Sequence, residues 1–191
     1  CKDKNYSVEV LVNNAGYGIP SQFHKTSMED EEKSIRVLST SVIALSKAFI
    51  PDMLENKSGK IMIISSVASF TPPSTIQVLY GPLKTFMNRF SDALNVNYKH
   101  KGISSTAVCP GYVVTEFHSS SGVQDAMDKV PAFMKLNAKD VAAEAVEATL
   151  NSKSYCVPSK RYKVLVFLIK YASFLMRLLS NTLSGGRYAK K

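Results

Sequence analysis

Residues 8–16 read VEVLVNNAG: an apolar run of strand length from Val8 to Val12 that stops at Asn13, Asn14, Ala15 and Gly16. A run without clean alternation suits a strand buried on both faces of a parallel sheet. Downstream, KIMIISS (60–66) is a second such strand, Ile61 to Ile64, ending in two serines. GISSTAVCPG (102–111) is a third, ended by Pro110-Gly111, and SKSYCVP (152–158) holds a short last strand. The segments between them carry helical signals. Residues 26–59 form a long helix with Ser27 as N-cap, acids in the first turn and Gly59 as its close. Pro51 is expected to kink or divide that helix. A second helix is expected from Gln77 to Tyr98 after a loop with Pro72 and Pro73, and a third over NAKDVAAEAVEATL (137–150). Strands alternating with long helices mean βαβ units, so the fold class is α/β with a parallel, Rossmann-like doubly wound sheet. Ligands of such sheets bind beyond the carboxyl ends of the strands. Asn13 to Gly16, Ser65-Ser66 and Pro110-Gly111 all fall at that edge.

The 191 residues fit one domain, and 45% hydrophobic with 20% charged residues is an ordinary globular composition. Cys1, Cys109 and Cys156 are too far apart for a disulfide framework or a metal-site spacing, and they suit a reducing, cytoplasmic setting. The opening CKDKNYSVEV has neither the apolar core of a secretory signal nor an initiating methionine, so the natural start is expected upstream. The net charge of +9 is uneven. Residues 152–191 hold nine Lys and Arg and no acid, while the other fifteen basic residues balance the fifteen acids. A neutral body with a basic, apolar tail points away from nucleic acid and toward an anionic membrane surface.

In LYGPLKTF (79–86), Tyr80 and Lys84 stand four apart, on one face of a helix. A nearby ammonium favours the phenolate and would lower the tyrosine pKa, suiting it to exchange a proton with a carbonyl or alcohol oxygen. Pro82 is tolerable beside them only in the first helical turn.

LVNNAGYG, IISSVAS, YGPLK and AVCPGYVVTEF, in that order between residue 8 and about residue 155, resemble the short-chain dehydrogenase/reductases. The resemblance implies a hydride transfer between NADP or NAD, with NADP favoured, and a ketone or secondary alcohol. By that pattern Tyr80 is the general acid or base, Lys84 lowers its pKa and holds the nicotinamide ribose, and Ser66 bonds the substrate oxygen, with Ser65 a lesser candidate. Asn14, Ala15 and Gly16 would lie along the adenosine side, and Pro110, Gly111, Val113 and Thr115 around the nicotinamide and its phosphate. The resemblance also implies a homo-oligomer joined through the long helix and the Tyr80 helix.

Three departures stand out. The family's glycine-rich phosphate loop is absent, so residues 1–155 read as the C-terminal part of the dinucleotide-binding domain, lacking the first βαβα units. Roughly seventy to ninety residues would precede Val8 at the usual size of such units. Alone, the 191 residues are expected to bind cofactor weakly and to expose a sheet edge. Leu38 occupies the position of the asparagine that sustains the family's water relay, and a leucine cannot bond water. Ser66 precedes Tyr80 by fourteen positions, one more than the family pattern, which places an insertion near Pro72-Pro73. Leu38 and the missing half motivate an alternative, a non-catalytic scaffold on the same fold.

The tail, residues 156–191, places Lys163, Lys170 and Arg177 seven apart among Val164, Leu165, Phe167, Leu168, Ile169, Phe174, Leu175 and Leu178. Charges break any run long enough to span a bilayer. Residues 160–184 are expected to border the substrate cleft, meet a second subunit or lie in a membrane interface. A pocket under so apolar a segment would suit a hydrophobic carbonyl compound, fatty-acyl or steroid-like.

Overall fold

A computed structural model describes residues 6–19, 21–71, 78–115, 128 and 130–183, with side chains described up to Tyr171. The expected insertion at Pro72-Pro73, the helix start at Gln77, residues 184–191 and the side chains of Phe174, Leu175, Arg177 and Leu178 lie outside the described residues.

Four parallel strands form the sheet in the order β1 (Val10–Asn13), β2 (Gly59–Ile64), β3 (Ile103–Val108) and β6 (Tyr155–Cys156). The register pairs Leu11 with Ile61 and Ile61 with Ser105. Two further residues pairs, β4 (Val113–Val114) and β5 (Leu136–Asn137), make a small parallel ladder beyond the end of β3. The helices are α1 (Met28–Ile35), α2 (Ser41–Glu55), α3 (Tyr80–Tyr98), α4 (Ala138–Leu150) and α5 (Lys160–Leu183). A π-helical turn, Arg36–Thr40, joins α1 to α2.

Side-chain alternation along β2 sorts the core into two layers. Ile61 and Ile63 pack with Leu38, Val42, Met53, Met87 and Leu94 of the α1–α2 run and α3. Met62 and Ile64 pack with Ala145 and Ala148 of α4. Helices therefore cover both faces, as a doubly wound sheet requires. The run Met28–Glu55 is long and apolar enough to cross a membrane by length and composition; its Leu38, Val42, Ile50 and Met53 pack in the core, while Ile43 and Leu45 are exposed.

Several local signals act as expected. The Ser27 Oγ accepts from the Asp30 N–H at 3.1 Å and caps α1. α3 begins at Tyr80, so Pro82 falls in the first turn, where its missing N–H removes no intrahelical bond. Gly102, with φ of 89°, ends the turn before β3 in a left-handed conformation. Pro51 differs from expectation: α2 runs unbroken through it. Its ring faces solvent, and the interruption of the long helix lies instead at the π turn around Leu38.

Candidate active site

The strand ends converge because adjacent loops are bonded to one another. The Ser65 N–H donates to the Val108 carbonyl at 2.7 Å, and the Val67 N–H donates to the Pro110 carbonyl at 3.0 Å. The two serines after β2 then part company. Ser65 is buried, and its hydroxyl donates to the Lys84 carbonyl at 3.0 Å. Ser66 is partly exposed; its Oγ accepts from the Ala68 N–H at 3.1 Å and is hydrogen-bonded with the Tyr80 side chain. The geometry joins Ser66, not Ser65, to the tyrosine.

Lys84 lies one turn along α3 and is only 3% exposed. Its Nζ stands 5.6 Å from the centre of the Tyr80 ring and donates to the Ile64 carbonyl at 2.7 Å. Burial pushes its pKa down to about 8. Burial also raises the Tyr80 pKa above its ordinary 10.0, and the Ser66 hydrogen bond opposes that rise. The lowering expected from Lys84 is thus outweighed, because both groups have lost water and the ammonium is bonded to a backbone carbonyl.

Asn88, one further turn along α3, was not singled out by sequence reasoning. Its Nδ2 donates to Ser69 Oγ at 2.7 Å, and its Oδ1 accepts from the Cys109 thiol at 3.4 Å. It fastens the turn that follows Ser66 to the end of β3. The signal was present: Asn88 continues the four-residue spacing of Tyr80 and Lys84. Cys109 itself is a buried thiol whose pKa burial pushes up to about 11, so it is a packing group at neutral pH.

Gly16 passes beside this pair. A Cβ there would stand 2.9 Å from Leu38 Cδ2 and 3.7 Å from Lys84 Nζ. Leu38 is wholly buried against that point. Asn14 and Ala15 are exposed at the sheet edge. Asn13 is buried, and neither atom of its amide has a partner among the described residues. Pro110 and Gly111 are half-buried, Val113 pairs with Leu136, and Thr115 is exposed. Gly111 has no room for a side chain because the Tyr162 ring of α5 lies on it. The Tyr162 hydroxyl accepts from the Tyr112 N–H at 3.1 Å and donates to the Met134 carbonyl at 2.8 Å. Tyr162 had no local sequence signal, since its partners lie 28 and 50 residues away.

A cleft opens beside Tyr80, lined by Ile19, Ser34, Glu31 and Leu79 among others. Glu31 is 7% exposed and accepts from Thr26 Oγ1 at 2.6 Å. The lining is therefore mixed rather than wholly apolar. What these groups can do together is hold an oxygen between two hydroxyls, with a cation behind them.

The sequence profile described as short chain dehydrogenase matches residues 1–126. The oxidoreductase UcpA of Escherichia coli (strain K12) is 27% identical over 184 residues, which are 96% of this chain and 64% of that protein. The very-long-chain 3-oxoacyl-CoA reductase of Anas platyrhynchos is 33% identical over 181 residues, 92% of this chain and 55% of that protein. A short-chain dehydrogenase from Sphingobium yanoikuyae in complex with NADPH superposes with a TM-score of 0.74 at 23% identity, over 96% of this chain and 67% of that one. One from Burkholderia phymatum in complex with NAD gives 0.74 at 21% identity, over 89% and 68%. These two likenesses show the fold. The chain spans about half the length of the curated relatives it matches, from 45% to 64% across the UcpA proteins.

Proposed function

The chain belongs to the short-chain dehydrogenase family, and from that premise we propose that its site moves a hydride between NADP or NAD and a ketone or secondary alcohol, with a hydrophobic carbonyl compound as substrate. The observation that carries this reading is the contact of Tyr80 with Ser66 on one side and Lys84 on the other. The substrate class draws support from the Anas platyrhynchos relative, whose name is that of a reductase of very long 3-oxoacyl chains.

The residues present fit a nicotinamide nucleotide. The backbone at Gly16 runs past the Lys84 ammonium with no side chain in between, and the Asn13 amide holds a donor and an acceptor without partners among the described residues. Solved neighbours of the same fold hold NADPH or NAD. Bound there, the cofactor supplies or takes the hydride.

The chain's own residues manage the proton and the charge. Tyr80 keeps its proton at neutral pH because burial holds its pKa above the ordinary 10.0, so it acts as the acid toward a carbonyl oxygen. As a base toward an alcohol it would need alkaline conditions. Ser66 shares that oxygen and stabilises the negative charge that develops on it. Lys84, titrating near 8, is mostly charged at neutral pH and offsets the phenolate left when Tyr80 gives up its proton.

Replacing Tyr80 by Phe, in the protein as its gene encodes it, should lower kcat by roughly 10²–10⁴ while leaving cofactor binding in place. Undiminished turnover would refute the role of Tyr80. The scaffold reading draws on Leu38, which puts a hydrocarbon where the family places a water-bonding side chain. It is favoured if the unaltered protein turns over none of a panel of short and long ketones with either cofactor.

A further inference from the structure

α5 is a helix with two unlike faces. Tyr162 and Val166 are buried, and Leu165 and Ile169 are partly so, on the side that meets the body. On the other side Val164, Phe167, Leu168 and Tyr171 are each more than half exposed, at 59%, 57%, 55% and 57%. At 3.6 residues per turn these four form one stripe, along which the rings of Phe167 and Tyr171 touch with centres 4.4 Å apart. Lys163 and Lys170 fall along one margin of the stripe, Arg161 along the other, and Lys160 at its head. All four cations are exposed. A surface helix of a soluble domain ordinarily puts its charges at the centre of the exposed face; here hydrocarbon is at the centre and charge at the rim.

We propose that α5 seats this protein on an anionic lipid surface. Val164, Phe167, Leu168 and Tyr171 would enter the interface, with the flanking Lys and Arg residues reaching the headgroup phosphates. Charge complementarity selects this occupant. The helix carries five basic residues and no acid, so a second copy related by a two-fold axis would set cation against cation. Those same five charges keep the helix out of the bilayer interior. Within the chain three of these cations have exposed contacts of their own, Lys170 over the rings of both Phe70 and Tyr155. Lys163 meets Glu144 at 3.2 Å, but the two side chains are 55% and 40% exposed, so the pair is weak and open to exchange. Arg161 donates to the Phe133 carbonyl, and Lys170 lies 4.5 Å from the Phe70 ring.

The placement has a consequence for access. Through Tyr162 the helix touches the loop after β3, and through Lys170 it touches Phe70, in the segment that follows Ser66. A lipid surface against α5 would lie beside the carboxyl edge of the sheet, where an apolar compound dissolved in the bilayer could reach it.

The test is co-sedimentation of the protein with vesicles. Vesicles of phosphatidylcholine with about one-third phosphatidylserine should bind it on the order of tenfold more tightly than phosphatidylcholine alone. Replacing Phe167 and Leu168 by Ser should reduce binding to the anionic vesicles on the order of tenfold or more, with the circular dichroism unchanged, since both side chains are exposed. Absence of binding to anionic vesicles, or equal binding to both kinds, overturns the proposal. So does a dimer in light scattering that the double substitution dissociates, for then a second copy covers the face. Should that variant fail to fold, the salt dependence of the unaltered protein decides: release at high salt supports the lipid surface, and salt-independent binding overturns it.

Discussion

Lys84 is held where an ammonium is costly. It is 3% exposed, bonded to the Ile64 carbonyl, and its pKa is pushed down to about 8 from an ordinary 10.5. Above pH 8 the folded chain releases this proton, whereas the unfolded chain keeps it up to about 10.5. The unfolded state therefore binds more protons between those values, and the contribution of Lys84 to stability rises with pH across that window. Below pH 8 both states carry the proton and that contribution is flat. Lys84→Met should remove this dependence. Melting temperatures of the two proteins, compared from pH 8 to 10.5, should show the unaltered protein gaining on the variant; a constant difference would mean that Lys84 is not desolvated. Cys109, pushed up to about 11 by burial, acts in the opposite sense and is present in both proteins. The spacing of Tyr80 and Lys84 was legible in sequence because a helix puts positions four apart together. The direction of the tyrosine shift was not, because burial depends on what the rest of the chain lays over the pair.

At the scale of elements, strands and amphipathic helices were legible where one short pattern decided them. β3 lies within residues 102–111 as expected, β2 covers Ile61–Ile64 but begins at Gly59, the residue expected to close the preceding helix, and α4 occupies its expected stretch, capped by Asn137 Oδ1 accepting from the Lys139 N–H at 2.8 Å. The π turn at Leu38 and the two-residue ladder of β4 with β5 were not legible, since tertiary packing fixes both. Tyr162 belongs to the same class. It joins α5 to the loop after β3 and to the turn before β5, through one bond accepted at 3.1 Å and one donated at 2.8 Å. Tyr162→Phe keeps the ring against Gly111 but removes the hydroxyl's bonds to the Tyr112 N–H and the Met134 carbonyl. It should lower stability by about 1–3 kcal/mol, measured by denaturant unfolding. If, as the proposed function has it, Pro110 and Gly111 border the nicotinamide, the KM for that cofactor should rise more than kcat falls. A variant with unchanged stability and unchanged KM would show that the ring alone positions the loop.

At the scale of the whole molecule, the two faces of the sheet are unequally covered. Residues of even number on the strands face α4, which packs Ala145 and Ala148 on Met62, Val108 and Cys156. β1 lies beyond the reach of that helix, and its even-numbered Val10 and Val12 stay 40% and 49% exposed. Among the described residues β1 pairs with β2 alone, so within these 191 residues its outer N–H and C=O groups and the two valines lie open. The expectation of an exposed edge came from the resemblance rather than from the strand's own residues, which read as buried on both faces. Such an edge templates pairing with another chain. A lysine in place of Val12 would put a charge on that face without removing a core contact, because the other face of β1 is held by Leu11 in the opposite layer. In the 191-residue chain Val12→Lys should therefore suppress the rise of light scattering with protein concentration while changing stability by less than about 1 kcal/mol. Scattering that rises as steeply in the variant would place the associating surface elsewhere, and the apolar stripe of α5 would be the next surface to alter.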